Sequence, residues 1–262
     1  VMNSYVINSI IKKITRREEN LFHEDVERNK NILEKRIKNK SALIIGGAGT
    51  IGSNFIKELV QFQLSRLYII DTNENDLAEI VRELRSSNNS NLPEIKTYAI
   101  NFSSPVFEKI YFEKGPFEIV ANFAAHKHVR SEKDEYSTWA MFENNFINAN
   151  KLLTILLKQK PEYFFCVSTD KATNPVSVMG ATKKIMEDII FSYQKDFNIT
   201  TARFANVAFS NGSLLDSFIN RIEKNQPIAC PSDVSRYFVS PEEAGKLCLL
   251  ACLLGESGNI FI

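Results

Sequence analysis

An α/β fold built on a doubly wound parallel sheet is predicted by three features of the sequence. From Ser41 onward short apolar runs alternate with amphipathic stretches, the first apolar run ends in a glycine-rich turn, and the second ends in an acid. Apolar strands that alternate with helices imply a parallel sheet covered on both faces.

The elements follow in chain order. Residues 1–40 read as a helical N-terminal extension in which Val6, Ile7, Ile10, Ile11 and Ile14 make one apolar stripe beside Lys12, Lys13, Arg16 and Arg17. Such a basic amphipathic helix can lie on a membrane surface or pack on the main domain or a sister subunit, and packing is the favoured expectation. A second helix, Glu24 to Lys38, is expected to carry Val26, Ile32, Leu33 and Ile37 inward.

Residues Ser41 to Gly52, SALIIGGAGTIG, give a strand at 42–46, a turn, and the start of a helix at 52–63. Gly46 allows the tight turn, Gly49 lets backbone N–H groups approach a pyrophosphate, and Gly52 lets helix and strand pack closely. Thr50 and Ile51 complete the turn, and a pyrophosphate there would sit at the positive end of the helix dipole. The pattern is that of a Rossmann-like dinucleotide site.

The next strand, 66–71, ends in Asp71, nineteen residues after Gly52, close to the spacing of a ribose-binding acid. A carboxylate there accepts hydrogen bonds from both ribose hydroxyls and repels a 2′-phosphate. Thr72 to Asp76 contains no Arg or Lys to receive that phosphate, so NAD is favoured over NADP. The other reading of Asp71 is a cap on the following helix.

Helices at 74–86, 104–113, 136–158, 178–196 and 212–223 then alternate with strands at 95–100, 117–122, 162–168 and 199–204. Residues 41–205 thus form the dinucleotide-binding domain. Residues 206–262 read as a small C-terminal substrate lobe, partly missing and interleaved with the last Rossmann elements. Both ends are abrupt, without an obvious initiator at Val1 and with the strand-like run GNIFI at the C-terminus, so the sequence reads as a fragment.

Composition narrows the partners. With 32 Lys and Arg against 31 Asp and Glu, net charge gives no reason to expect nucleic acid. The 44% hydrophobic content suits a substantial core, and no run approaches the length of a membrane span. No signal-peptide pattern is present, so a cytoplasmic location, including the cytoplasmic face of a membrane, is expected. Cys166, Cys230, Cys248 and Cys252 have no metal-ligand spacing backed by His or Asp, and no metal is expected. Cys248 and Cys252, within LCLLACLL, read as one buried helix face.

In such sheets ligands bind beyond the carboxyl ends of the strands. NFAAHKHVRSE follows the fourth strand, with Ala124 and Ala125 small enough for a dinucleotide to lie close to the backbone. VSTDKATNP follows the fifth, placing a hydroxyl, an acid and a base in succession at Thr169, Asp170 and Lys171. VMGATKK comes next, with Met179 and Lys183 on one helical face. Polar groups at a strand end are costly unless used or well paired. The structural alternative makes Asp170 and Lys171 a surface pair and Thr169 a turn former.

GGAGTIG, Asp71, NFAAHKHV, STDKATNPVSVMGATK, RFANVAFSNGS and SRYFVSPEEA together resemble the extended short-chain dehydrogenase/reductase superfamily. More narrowly they resemble its nucleotide-sugar 4,6-dehydratases of capsule, flagellin-glycan and nonulosonate biosynthesis. The resemblance runs from about Arg36 to the end of the chain. It implies a Ser or Thr, Tyr and Lys trio, matched here by Thr169 and Lys183, with Met179 in the tyrosine position. A thioether cannot remove a proton from a sugar hydroxyl. The chain is therefore either a non-catalytic sensor of NAD or nucleotide sugar, or a dehydratase of the branch that carries methionine there, and STDKA favours the dehydratase.

The resemblance further implies NAD-dependent 4,6-dehydration of a nucleotide-linked N-acetylhexosamine, most readily UDP-N-acetylglucosamine, with the GDP sugar or 4-epimerisation as alternatives. Lys171 would act as general base on carbon 5, Asp170, protonated and buried, as acid to the carbon 6 hydroxyl, and Lys183 would hold the nicotinamide ribose. Lys127, His128, Asn206 and Arg236 would face the substrate, Arg236 suiting its diphosphate. Asn145 would brace the active-site backbone. Asn101, where the family usually has an acid near the adenine, and Phe102 would line the cofactor. A homodimer or higher homo-oligomer through helices 136–158 and 178–196 is also implied.

Overall fold

Strand β1, Ser41–Ile45, is wholly buried and sends alternate side chains to two separate cores, Ala42 and Ile44 to one and Leu43 and Ile45 to the other. That period of two, with apolar residues on both faces, is what a strand sandwiched between helix layers requires. The computed structural model describes residues 4–87, 89, 91–127, 132–230, 232–233 and 235–262.

Before β1 come α1 (Ser4–Thr15), α2 (His23–Arg28) and α3 (Lys30–Ile37). After it follow α4 (Thr50–Leu59), β2 (Arg66–Asp71), α5 (Glu74–Ser86), β3 (Glu94–Ala99), α6 (Pro105–Lys114) and β4 (Ile119–Asn122). Next, α7 (Glu135–Phe142) runs through a π-helical turn, Glu143–Ile147, into α8 (Asn148–Leu156). The chain continues with β5 (Tyr163–Val167), a short 3-10 turn (Asp170–Ala172), α9 (Val178–Ser192), β6 (Asn198–Ala202) and β7 (Asn206–Val207). It ends with α10 (Leu214–Glu223), β8 (Phe238–Val239), α11 (Pro241–Leu254) and β9 (Ile260–Phe261).

Seven strands form one parallel sheet in the order β3-β2-β1-β4-β5-β6-β9. The order in which the strands are added reverses between β1 and β4, which opens a crevice at their carboxyl ends. This is the Rossmann-like doubly wound sheet expected from the alternating pattern. The long helix at 136–158 is interrupted by the π turn, and the helix from Val178 stops at Ser192 because β6 begins at Asn198 and needs a turn before it. The strand-like end of the chain becomes the seventh strand. β7 and β8 pair separately, Asn206 with Phe238 and Val207 with Val239.

Helix α11 carries the LCLLACLL face, with Cys248 and Cys252 buried in the first core as expected. Ser240 and Glu243 form a capping box at its start, with Pro241 at the first helical position. It crosses α4 so closely that a β-carbon on Gly245 would lie 2.7 Å from the Asn54 carbonyl carbon.

The N-terminal extension packs on the same side. Val26, Leu33 and Ile37 join the first core, but Ile32 is 45% exposed and the expected helix breaks at Asn29. Ile32 lies about 100° around the helix from Leu33, off the stripe that Leu33 and Ile37 share four residues apart. In α1, Ile7, Ile10, Ile11 and Ile14 are half-buried and Val6 is exposed. Among the described residues no helix is long and apolar enough to cross a membrane.

Candidate active site

The glycine turn sits at the carboxyl end of β1. Gly46 has a φ of +69°, its N–H donates to the Ile70 carbonyl at 2.7 Å, and a β-carbon there would lie 2.6 Å from the Ala124 nitrogen. A β-carbon on Gly52 would come within 2.4 Å of the Gly46 oxygen. Gly49 differs, since a β-carbon on it would touch only the Gly46 oxygen, at an ordinary 3.4 Å. The chain's own packing therefore does not demand glycine at 49, whereas a group approaching the turn from outside would. Gly49 is also the N-cap of α4 and no side chain caps that helix, an arrangement that receives phosphate.

Asp71 closes the turn from β2, its Oδ2 accepting from Ala48 N at 3.1 Å and its Oδ1 from Asn73 N at 3.1 Å. The cap of α5 is Asn73, whose Oδ1 accepts from Asn75 N and Asp76 N. This sets aside the helix-cap reading of Asp71. Thr50 turns away to Asn211, accepting from its N–H at 3.1 Å and donating to its Oδ1 at 3.3 Å. Asn101 accepts from Ser103 N and Oγ, both at 2.9 Å. Phe102, expected to line the cofactor, is 4% exposed and its ring belongs to the second core, so only its backbone is available to a ligand.

Across the crevice, Ala124 and Ala125 follow β4 and are half-buried. Asn145, in the π turn, fixes this segment: its Oδ1 accepts from His126 N at 2.7 Å, and its Nδ2 donates to the His126 carbonyl and to Thr182 Oγ1, both at 3.0 Å. Lys127 keeps an accessible surface, yet enough protein surrounds it for desolvation to lower its pKa, with the charge of Asp216 opposing the shift. His128 lies outside the described residues.

After β5 the 3-10 turn presents the acid and the base. Thr169 caps the turn, its Oγ1 accepting from Lys171 N at 3.4 Å and donating to Asp170 Oδ1 at 2.9 Å. Lys171 Nζ donates to the same Oδ1 at 3.0 Å. The Asp170 side chain is 48% exposed, not buried as its protonated role requires. It stands on the tip of a short turn, and only something packed over that tip would desolvate it.

Met179 is buried on α9, where its N–H donates to Glu132 Oε1 at 2.8 Å. One turn on, Lys183 is 4% exposed, and its Nζ donates to the Val167 carbonyl at 2.6 Å and to Met186 Sδ at 3.2 Å. Burial lowers its pKa, opposed by Cys166 and Glu187. In turn its charge works against the upward push of burial on the Cys166 thiol. Asn206 opens β7, where its Nδ2 donates to the Tyr237 carbonyl at 3.3 Å, and Arg236, two residues before β8, is exposed.

Sequence reasoning did not single out the ion pair beneath the 3-10 turn. Glu187, fully buried, accepts from Ser168 Oγ and from Arg203 at the end of β6, while Arg203 Nη1 donates to Thr173 Oγ1 at 3.3 Å. The spacing by four of Met179, Lys183 and Glu187 put Glu187 on the inward helical face, but nothing in the local pattern named Arg203 as its partner.

A parallel sheet with this switch point, an uncapped helix at a glycine turn and a lysine-bearing helix after β5 define a Rossmann fold of the extended short-chain dehydrogenase/reductase kind. Residues 42–262 match the family described as polysaccharide biosynthesis protein, and the chain belongs to that family. It is 33% identical over 231 residues to a protein named as the uncharacterized membrane protein MJ1061 of Methanocaldococcus jannaschii, covering 86% of this chain and 66% of the relative. It is 30% identical over 249 residues to the capsular polysaccharide biosynthesis protein CapD of Staphylococcus aureus, covering 94% of this chain and 41% of CapD. The chain thus spans about two fifths of CapD and just under two thirds of MJ1061. Among solved structures, Pen from Bacillus thuringiensis superposes with a TM-score of 0.75 at 25% identity, covering 86% of this chain and 68% of Pen.

Proposed function

We propose that the protein is a nucleotide-sugar 4,6-dehydratase acting on an N-acetylhexosamine, with UDP-N-acetylglucosamine as the first candidate, in the making of a cell-surface polysaccharide. The observation that carries this reading is the Asp170–Lys171 pair, 3.0 Å apart at the carboxyl end of β5, beside a helix with methionine where a tyrosine base would stand. Family membership and the likeness to CapD support the polysaccharide setting.

The chain's residues fit a dinucleotide. Gly46, Gly49, Thr50, Ile51 and Gly52 would hold its pyrophosphate at the start of α4, Asp71 its adenosine ribose, and Ala124 and Ala125 its middle, with NAD preferred because Asp71 is anionic. When bound, NAD supplies the acceptor and donor of hydride that carbon 4 oxidation and carbon 6 reduction need.

The protons balance with water as the exchange partner. Met179 cannot take the carbon 4 hydroxyl proton, but the hydrogen bond from Thr169 Oγ1 to Asp170 Oδ1 offers a path by which that proton ends on Asp170. With its counter-charge gone, the Lys171 ammonium gives its proton to water, and the neutral amine removes the carbon 5 proton made acidic by the neighbouring ketone. Asp170 then gives its proton to the departing carbon 6 hydroxyl, which leaves as water. Lys171 returns a proton to carbon 5 and takes one from water, which restores its ion pair with Asp170. Substrate packed over the turn would supply the burial that Asp170 lacks in the chain alone.

A 4-epimerase would use the same fold but has no role for this acid and base, and a sensor would have no role for either. Assembly as a homodimer would use α7 and α9, where Tyr136 is 77% and Trp139 62% exposed. The test is incubation of the full-length protein with UDP-N-acetylglucosamine, and separately with the GDP form, followed by mass spectrometry. A product lighter by one water without added reductant is expected. Unchanged sugar in a protein that binds NAD would sink the reading.

A further inference from the structure

The family match begins at residue 42 and leaves the N-terminal extension outside it. One side chain of that extension nevertheless bonds to the strand pair that carries Asn206. Arg17 donates from Nε to Glu243 Oε1 at 2.9 Å, from Nη2 to Glu243 Oε2 at 2.6 Å, and from Nη2 to the Phe238 carbonyl at 3.2 Å. The Glu243 side chain is 3% exposed and also accepts from Leu21 N at 3.1 Å and Ser240 N at 2.8 Å.

Phe238 opens β8, and β8 holds β7 by few bonds. Asn206 gives its N–H and its side-chain amide to the Tyr237 carbonyl at 3.2 and 3.3 Å, and Ala208 N donates to Val239 at 2.9 Å. Arg236 is the residue before Tyr237. A pair of two-residue strands has little stability of its own. An outside anchor on β8 therefore matters more than it would in a long sheet. A guanidinium suits that task, because its planar fork can bind a carboxylate with two parallel bonds and still reach a carbonyl, which an ammonium cannot reproduce.

We propose that Arg17 is a positioning residue for the nucleotide-sugar site, holding β8 against β7 so that Asn206 and Arg236 are placed to receive a nucleoside diphosphate. The proposal rests on the nucleotide-sugar reading above. A role confined to anchoring the extension would leave ligand affinity untouched, and that separates the two.

The test compares the full-length protein with Arg17→Ala and Arg17→Lys, titrated calorimetrically with UDP, GDP and NAD. Amide exchange is followed at Asn206 and Ala208, and KM and kcat for the nucleotide sugar are measured. In Arg17→Ala, affinity for the preferred nucleoside diphosphate is expected to fall by about tenfold. NAD affinity stays unchanged, KM rises more than kcat falls, and exchange at both amides quickens. Arg17→Lys restores part of the loss. Unchanged diphosphate affinity in Arg17→Ala overturns the proposal, as does an equal loss of NAD and diphosphate affinity, which would mark general loosening. If Arg17→Ala does not fold, Glu243→Gln, which keeps size and removes the charge, is read by the same criteria. A wild-type protein that binds UDP but forms no dehydrated sugar sinks the dehydratase reading and leaves this one judged on affinity alone.

Discussion

Arg203 and Glu187 lock the end of β6 to α9 through two parallel hydrogen bonds, Nε to Oε1 at 2.9 Å and Nη2 to Oε2 at 2.5 Å. Because Glu187 also takes the Ser168 hydroxyl and Arg203 reaches Thr173, the turn bearing Thr169, Asp170 and Lys171 is gripped at both ends by one buried pair. Removing one partner leaves the other charge buried without compensation. Arg203→Ala, which strands the fully buried Glu187 carboxylate, is expected to cost about 3 to 5 kcal/mol of stability, seen as a lowered urea midpoint. A midpoint within error of wild type would show that the pair is not a structural lock.

The three glycines of the turn should separate by what they serve. Gly46→Ala and Gly52→Ala each force a β-carbon into backbone, so both should lower Tm. Gly49→Ala meets only ordinary contact within the chain. It should leave Tm unchanged while weakening NAD binding, and a titration showing wild-type NAD affinity would argue against phosphate at this turn.

Acid should loosen the N-terminal clasp. Burial pushes the Glu243 carboxyl up, but bonds from Arg17, Ser240 N and Leu21 N and the Arg17 charge outweigh it, and the pKa lies below its ordinary 4.5. A group depressed in the folded state stabilises the fold above the unfolded value, and that contribution disappears as pH falls through the folded value. Thermal midpoints should therefore drop on acidification below about 4.5, and the drop should be shallower in Glu243→Gln. Parallel curves for the two proteins would remove Glu243 from the account.

Lys171→Ala and Asp170→Asn should keep NAD binding and slow water loss by about a hundredfold to ten-thousandfold, the range of general acid–base catalysis. Stopped turnover with intact cofactor affinity is the expected pattern. Normal turnover in both variants would remove this pair from the chemistry.

The centre of the main sheet was legible in the sequence because β1, β2, β4, β5 and β6 are buried on both faces and stand out as short runs bounded by turns. The place of Asp71 at the end of β2 was legible from the apolar run before it, whereas its contact with the glycine turn and Asn73 as the actual cap of α5 required geometry. The β7·β8 pair could not be read, since two-residue strands have no periodicity to detect. Phe102 was placed at the cofactor by its position after β3, but whether its ring turns inward depends on the neighbouring Phe107 and Tyr111 in the second core. The Arg203–Glu187 pair joins residues on different elements, and the Arg17–Glu243 pair joins residues more than two hundred positions apart. Such partners are chosen by tertiary packing rather than local pattern.

The crossing of α4 and α11 at Gly245 has a practical consequence. With no room for even a methyl group between the backbones, these helices cannot slide, and they behave as a keel joining the glycine turn to the Ser240 cap. A residue larger than glycine at 245 would have to push α4 and α11 apart, and so move the glycine turn away from the Ser240 cap.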